Sequence, residues 1–296
     1  MSDLVEWLGW LWSKVLGVWW SPQVAGSGLT LLIVALVAVR ARYGPGAWRR
    51  LLRPSARTDA AYTAFYVGGF YAFFISGPAY RWLTAFAERH APFLSLDLVS
   101  HLPVAAQFLV ASIAMDGVLY WTHRLLHASP LLWPFHGIHH SQAELTPLAN
   151  FRFHVVDVFV RGLAQFVPGL LLGVPAYVWI PTIWIQVALD GLAHSGLDWS
   201  YGPLDAVLVS PRFHAVHHSA EPAHHERNFG MTYSFWDRWF GTAAPAAERP
   251  RVFGAPALGV PESFVRQLAH PFLFLAGTVR SRRADGATGA PGAGLP

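Results

Sequence analysis

Asp116-Gly-Val-Leu-Tyr-Trp-Thr-His123-Arg-Leu-Leu-His127 fixes the architecture expected of this chain. It is the end of an apolar segment that begins near Pro103, and it closes on two histidines spaced i, i+4, which a helix places on one face. Neutral imidazole is the commonest protein metal ligand, so a helix that leaves a bilayer in paired histidines is suited to hold an ion at the membrane edge. The same residue type recurs at helical spacing in His136-Gly-Ile-His139-His140 and in His214-Ala-Val-His217-His218. In each HxxHH cluster the first ring pairs with the others at i+3 and i+4, while the adjacent third fans sideways. A single HxxxH pair is commonplace as an exposed or capping pair. Three clusters in one chain point to metal binding, with donors enough for more than one ion.

Residues that are absent narrow the chemistry. With no cysteine, thiolate zinc sites, iron–sulfur clusters, disulfides and cysteine nucleophiles are excluded. No HExxH, GxSxG, Walker A or GxGxxG pattern occurs in a suitable context, so a zincin, a serine hydrolase, an NTPase and a built-in dinucleotide domain lack support. Only 13% of the 296 residues are charged and 53% are hydrophobic, a membrane composition. The net charge of +4 rests on arginine, Lys14 being the one lysine. No basic face interleaved with aromatics suggests nucleic-acid binding.

Outward from the quoted stretch, the chain reads as an all-α integral membrane bundle. Residues 1–22, studded with tryptophan, suit a helix lying in the membrane interface. Membrane spans are expected within 23–104: one over 24–40 and a second over about 62–80, ahead of the span from Pro103 to Trp121. Arg40, Arg42, Arg49, Arg50, Arg53 and Arg57 mark the first loop as cytoplasmic. That order returns the chain to the cytoplasm as His123 begins. Residues 157–173 and 176–194, joined at Gly173-Val-Pro175, read as a helical hairpin that brings His214, His217 and His218 back to the same side. A C-terminal interfacial segment over 246–280 and a disordered tail over 281–296 complete the chain.

The motifs Asp116 to His127, Phe135-His-Gly-Ile-His-His-Ser141, Asn150-Phe-Arg-Phe-His154 and Pro211-Arg-Phe-His-Ala-Val-His-His-Ser219 resemble the fatty acid hydroxylase/sterol desaturase superfamily. Asn228-Phe-Gly230 and Trp236-Asp-Arg-Trp-Phe-Gly-Thr242 extend the likeness, which covers about 105–242 and makes 105–245 the expected catalytic domain. The resemblance implies a membrane-embedded, histidine-rich centre of two iron ions that uses O2 to hydroxylate or desaturate a C–H bond of a lipid. Carried over by position, the ligands are His123, His127, His136, His139, His140, His214, His217 and His218. His194 occupies the place where the family supplies a further ligand from the end of the later hairpin. Asp190, four residues before it, is read as a hydrogen-bond acceptor behind a ligand or as a carboxylate ligand. Where the family continues Arg-Phe-His with Pro and Glu, this chain has Val155-Val-Asp157.

Two further groups carry expectations of their own. Asp116 lies one heptad before His123 inside a span, and an intramembrane carboxylate there is expected to hydrogen-bond a ligating ring. His154 is expected to orient the site or line the substrate path, whereas His224 and His225 read as solvated. A separate electron donor of ferredoxin or cytochrome type is implied, because no such domain is visible in the chain. Two rivals remain: a membrane zinc hydrolase with Glu144 or Asp190 as base, and a metal-binding or transport protein with ligands strung through the bilayer.

Overall fold

The computed structural model describes residues 53–288 apart from 72, 73, 76, 246 and 247, together with 37, 40, 41 and 44. The expected interfacial helix over 1–22 and nearly all of the expected span over 24–40 therefore lie outside the described residues. Among the described residues the protein is helical, and the only β pairings are isolated bridges between Leu208 and Tyr233 and between Ser219 and Phe253.

The helices run α1 (Pro54–Val67), α2 (Gly77–His90), α3 (Val104–Ala128), α4 (Trp133–His140), α5 (Val155–Leu172), α6 (Ala176–Ala193), α7 (Pro211–His217), α8 (Phe235–Trp239) and α9 (Phe264–Thr288). Three of them, α3, α5 and α6, are long and apolar enough to cross a membrane. The 25 residues of α3 make a rod of about 37 Å, and the 18 of α5 and of α6 make about 27 Å, close to the ~30 Å of a hydrocarbon core. Their outward surfaces carry Leu109, Trp121, Leu125, Val167, Ile180 and Ile185, an apolar exterior that suits lipid. Inside, Met115 and Leu119 of α3 meet Met231, with Trp179 and Ile183 of α6 packed against them.

The hairpin expected at Gly173-Val-Pro175 is present. Gly173 takes the left-handed conformation (φ 63°), its amide donates to Leu170 O (3.4 Å) and Val174 N donates to Gly169 O (3.3 Å), the pairing of a Schellman stop. The carbonyls of Leu171 and Leu172 accept from Leu96 and Val99, so the helix end is satisfied by the segment that leads into α3. A Cβ on Gly173 would come 2.7 Å from Asp97 Cα, so glycine is required for that approach as well. α3, α5 and α6 pack together with alternating direction. The C-terminal ends of α3 and α6 and the N-terminal end of α5 consequently meet at one end of the bundle.

Two expectations change. Residues 62–80 are not one unbroken helix: α1 stops at Val67, Gly68 and Gly69 turn, helical backbone resumes at Phe70 and Tyr71, and α2 begins at Gly77. The glycine pair breaks the backbone ladder, and an apolar aromatic composition alone did not reveal it. The tail expected to be disordered from Ser281 is helical as far as Thr288, because α9 continues without interruption.

Candidate metal centre

Each histidine cluster is set in place by its local sequence. α4 and α7 are short helices, each with proline in the first turn, where its missing amide is not needed. Ser210 caps α7 by accepting from Phe213 N at 3.3 Å. These helices carry the two HxxHH boxes to the ends of α3 and α6.

The rings assemble into two groups. His123, His127, His136, His140 and His217 form the first; His139, His194, His214 and His218 form the second, with the ligand atoms of each group within 4.8 Å of one another. All nine histidines anticipated as ligands are thus brought together, and all but His127 are buried to 5% exposure or less. Burial holds the side chains of His139, His140, His214, His217 and His218 well below the ordinary histidine pKa, with neighbouring rings adding to the effect. His136 is pushed down to about 3 by burial, against the opposing pull of Asp157. For these rings burial disfavours the imidazolium and favours the neutral form, the one that binds metal.

Ring tautomers test the fit. His123 Nδ1 lies 2.9 Å from Phe229 O and His136 Nδ1 lies 2.7 Å from Asp157 Oδ2. A carbonyl and a carboxylate only accept, so both Nδ1 atoms carry the proton and both Nε2 atoms present lone pairs. Those two Nε2 atoms stand 3.1 Å apart. Neither can donate to the other, and facing lone pairs repel unless a cation is shared between them. His194 is fixed in the same way, its Nδ1 donating to Asp190 O at 2.8 Å, and its single Nε2 lone pair faces three Nε2 atoms, those of His139, His214 and His218, at 3.0–3.1 Å, more than one hydrogen bond could satisfy. Two nitrogens ~2.1 Å from one ion stand ~3.0 Å apart at right angles and ~3.4 Å apart at the tetrahedral angle. The observed edges match the former, so both groups fit an ion with cis imidazoles.

Asp157, which the sequence marks only as a departure from the pattern of the resembled family, has a role at this centre that the sequence reading does not assign. Fully buried at the start of α5, it accepts from His136 Nδ1 and, at 2.8 Å, from Arg161 Nε. The signal was available: Asp157 and Arg161 are an i, i+4 opposite-charge pair in an otherwise uncharged apolar stretch, where charges are expensive and marked for function. Arg161 lies over the Phe153 ring (4.8 Å), and Phe153 stacks on His139 at 4.0 Å, so the same pair also backs the second group.

Other anticipated residues are placed differently. Asp116 touches no imidazole: its carboxylate accepts from Thr232 N (2.8 Å), Tyr233 N (3.0 Å), Trp236 Nε1 (3.0 Å) and Gln186 Nε2 (3.3 Å). Seven residues share a helix face but rise ~10.5 Å along the axis, which puts the carboxylate beyond reach of the rings. His154 belongs to neither group. It caps α5 by accepting from Val156 N at 3.1 Å and donates to Leu268 O of α9 at 3.0 Å. Asp190 is outside both groups of candidate ligands and stands behind His194, with Oδ1 at 3.4 Å from its Nδ1. The Asn150 amide, oriented to satisfy both of its ends, donates to Asp190 Oδ2 at 2.6 Å. His224 is buried rather than solvated, bonded to Ser219 Oγ (2.8 Å) and Glu248 (3.1 Å), because the chain beyond residue 248 folds back to bridge Ser219 with Phe253. Glu144 pairs with Arg53 at the surface and lines neither group of rings.

A model of the fatty acid hydroxylase family matches residues 108–242. An ornithine lipid hydroxylase of Rhizobium tropici is 34% identical over 57% of this chain and 51% of its own length. An alkylglycerol monooxygenase of Danio rerio is 31% identical over 47% of this chain and 31% of its own. For a methylsterol monooxygenase of Arabidopsis thaliana the figures are 31%, 50% and 56%. The chain therefore spans only about a third to a half of the length of these relatives. No solved structure matches it. The matched segment holds every ring of both groups, in the order in which the sequence motifs run, so the similarity to the fatty acid hydroxylase family falls on the residues that form the candidate centre.

Proposed function

We propose that the protein is a multi-pass membrane oxidoreductase that hydroxylates or desaturates a C–H bond of a lipid, using O2 and a pair of iron ions. The observation that carries this reading is the convergence of buried imidazoles into groups of five and four whose Nε2 atoms face one another at 3.0–3.1 Å. His123, His127, His136, His140 and His217 hold one ion; His139, His194, His214 and His218 hold the other. When bound, the irons supply the one-electron steps by which O2 is reduced and a C–H bond is oxidised. Hydroxylation consumes O2, two electrons and two protons and yields the alcohol and water. The electrons come from a separate ferredoxin or cytochrome-type donor.

The chain's own residues do the rest. Asp157, Phe229 O, Arg227 O and Asp190 O hold ring tautomers so that Nε2 is the free donor, which removes reorganisation at the moment of binding. The apolar helices keep water away from the rings and seat a lipid chain alongside them. Relatives named for ornithine lipid, alkylglycerol and methylsterol substrates support a lipid substrate and leave its class open. The arginine-rich first loop supports an active site on the cytoplasmic side.

The test is elemental analysis of detergent-purified protein loaded with iron, with O2 uptake measured on adding reductant and a membrane lipid extract. About two irons per chain, lipid-dependent O2 consumption and a product heavier by one oxygen or lighter by two hydrogens are the expected results. Iron-loaded protein that consumes no O2 with a competent donor would overturn the oxygenase reading in favour of the zinc hydrolase.

A further inference from the structure

The motifs Asn228-Phe-Gly230 and Trp236-Asp-Arg-Trp-Phe-Gly-Thr242 carry no metal ligand, yet they converge on one of the two ring groups. Glu226 Oε1 lies 3.6 Å from His127 Nδ1, Arg227 O accepts from His217 Nδ1 at 2.9 Å and Phe229 O accepts from His123 Nδ1 at 2.9 Å. The Phe229 ring packs against those same three histidines, with centroids 5.1–5.5 Å away. Two left-handed residues, Glu226 (φ 57°) and Asn228 (φ 56°), alternate with the two whose carbonyls reach the rings. A non-glycine residue in that conformation carries a steric cost, so the shape persists only because its surroundings impose it.

The anchor that imposes it is Asp237. Its carboxylate accepts from Phe229 N (2.7 Å), Gly230 N (2.8 Å) and Thr242 Oγ1 (2.7 Å). Phe229 is therefore gripped at both ends of its backbone, with its amide on Asp237 and its carbonyl on His123. Any side chain at position 230 would drive a Cβ to 2.5 Å from Tyr233 O and 2.9 Å from Asp237 Oδ2, so the close approach requires glycine. Asp116 fixes the next turn through Thr232, Tyr233 and Trp236.

Among the described residues nothing comparable covers the second group. Among the described residues, His139, His214 and His218 each bury an Nδ1 with no hydrogen-bond partner, and His194 alone has one. A histidine ligand without an acceptor on its far nitrogen is less basic and less fixed, and such partners are typically worth ~10–100-fold in metal affinity.

We propose that the Glu226–Asp237 segment is a strap that makes the two ion positions unequal. The five-histidine group fills first and holds its ion ~10–100-fold more tightly than the four-histidine group, and Asp237 is the positioning residue that sets this difference. The inference rests on the two-ion reading above. The experiment is anaerobic titration of chelator-stripped, full-length protein in detergent with Fe(II), and with Co(II) as a spectroscopic probe. The expected wild-type curve has two steps separated by ~10-fold or more. Asp237→Asn should weaken the first step ~10–100-fold and leave the second in place, merging the two. Thr242→Val removes one support of the Asp237 carboxylate while keeping the charge, and should shift the first step in the same direction by less; it keeps the test decisive if Asp237→Asn does not fold. Two equal steps in the wild type, or equal weakening of both steps in a folded variant, would overturn the strap. Failure to bind two ions at all would instead sink the two-ion reading.

Discussion

The two HxxHH helices, α4 and α7, share one local code and use it in opposite ways. α4 sends its i, i+4 pair, His136 and His140, to the five-ring group and its middle ring, His139, to the four-ring group. α7 sends His214 and His218 to the four-ring group and its middle ring, His217, to the five-ring group. Adjacent residues on a helix point ~100° apart, so a short helix wedged between two sites serves both. Their supports also differ. α4 is braced by side chains of the α5 region, Asp157 behind His136 and Phe153 against His139, whereas α7 is braced by a backbone carbonyl, Arg227 O, behind His217. Identical sequence spacing therefore does not specify identical coordination; what lies opposite each face does.

The sharpest way to break this comparison is to remove the middle rings. His139→Ala and His217→Ala should each abolish activity and reduce metal content to about one ion per chain, in different groups; elemental analysis with activity assay checks it, and full activity in either would undo the assignment. Asp157→Asn comes next. It should lower metal affinity ~10–100-fold through His136 and destabilise the fold by ~3–5 kcal/mol by leaving Arg161 buried without its partner charge, read by metal titration and thermal unfolding.

Acid should act on both boxes together. Burial holds their histidines below the ordinary value, so as pH falls below about 6.5 the unfolded chain takes up protons that the folded rings refuse, and stability drops. The metal-free protein should therefore be most stable above that pH and lose stability steadily towards pH 5, measured by unfolding across a pH series. Bound metal should delay the loss, since protons then compete with the ion as well.

Asp116→Asn should have a smaller effect on the rings than Asp157→Asn. It removes an acceptor shared by two backbone amides, an indole and an amide, costing ~1–3 kcal/mol in stability with a change in metal affinity below that of Asp157→Asn. Smallest of all, His154→Ala should cost ~0.5–2 kcal/mol as a lost helix cap and leave metal content unchanged; a fall in metal content would return His154 to the site.

The spacing of the clusters and the apolar stretches between them made the ring set and the three membrane-capable helices legible from residues alone. Every anticipated histidine ligand, His194 included, is in one of the two groups, and Asp190 is in neither. The supporting residues were harder to read because hydrogen-bond partners are set across the chain and not along it. Asp116 was assigned by heptad offset to His123, and what it meets is a loop more than a hundred residues away. Asp157 was noticed only as a departure from the Pro and Glu of the resembled family, and it proves to be the carboxylate that orients His136.

What the sequence determined by itself was the kind of chemistry and the kind of scaffold: imidazole without thiolate, in clusters at helical spacing, at the ends of segments that composition assigns to lipid. Helix periodicity and apolar transfer are local properties, and a linear reading captures them. Which ring serves which ion, which carbonyl fixes which tautomer and which group is strapped were decided only by the tertiary structure. Each of those depends on atoms brought within about 3 Å by packing, as where His123 meets His136, 13 positions away, and Phe229 O, 106 positions away.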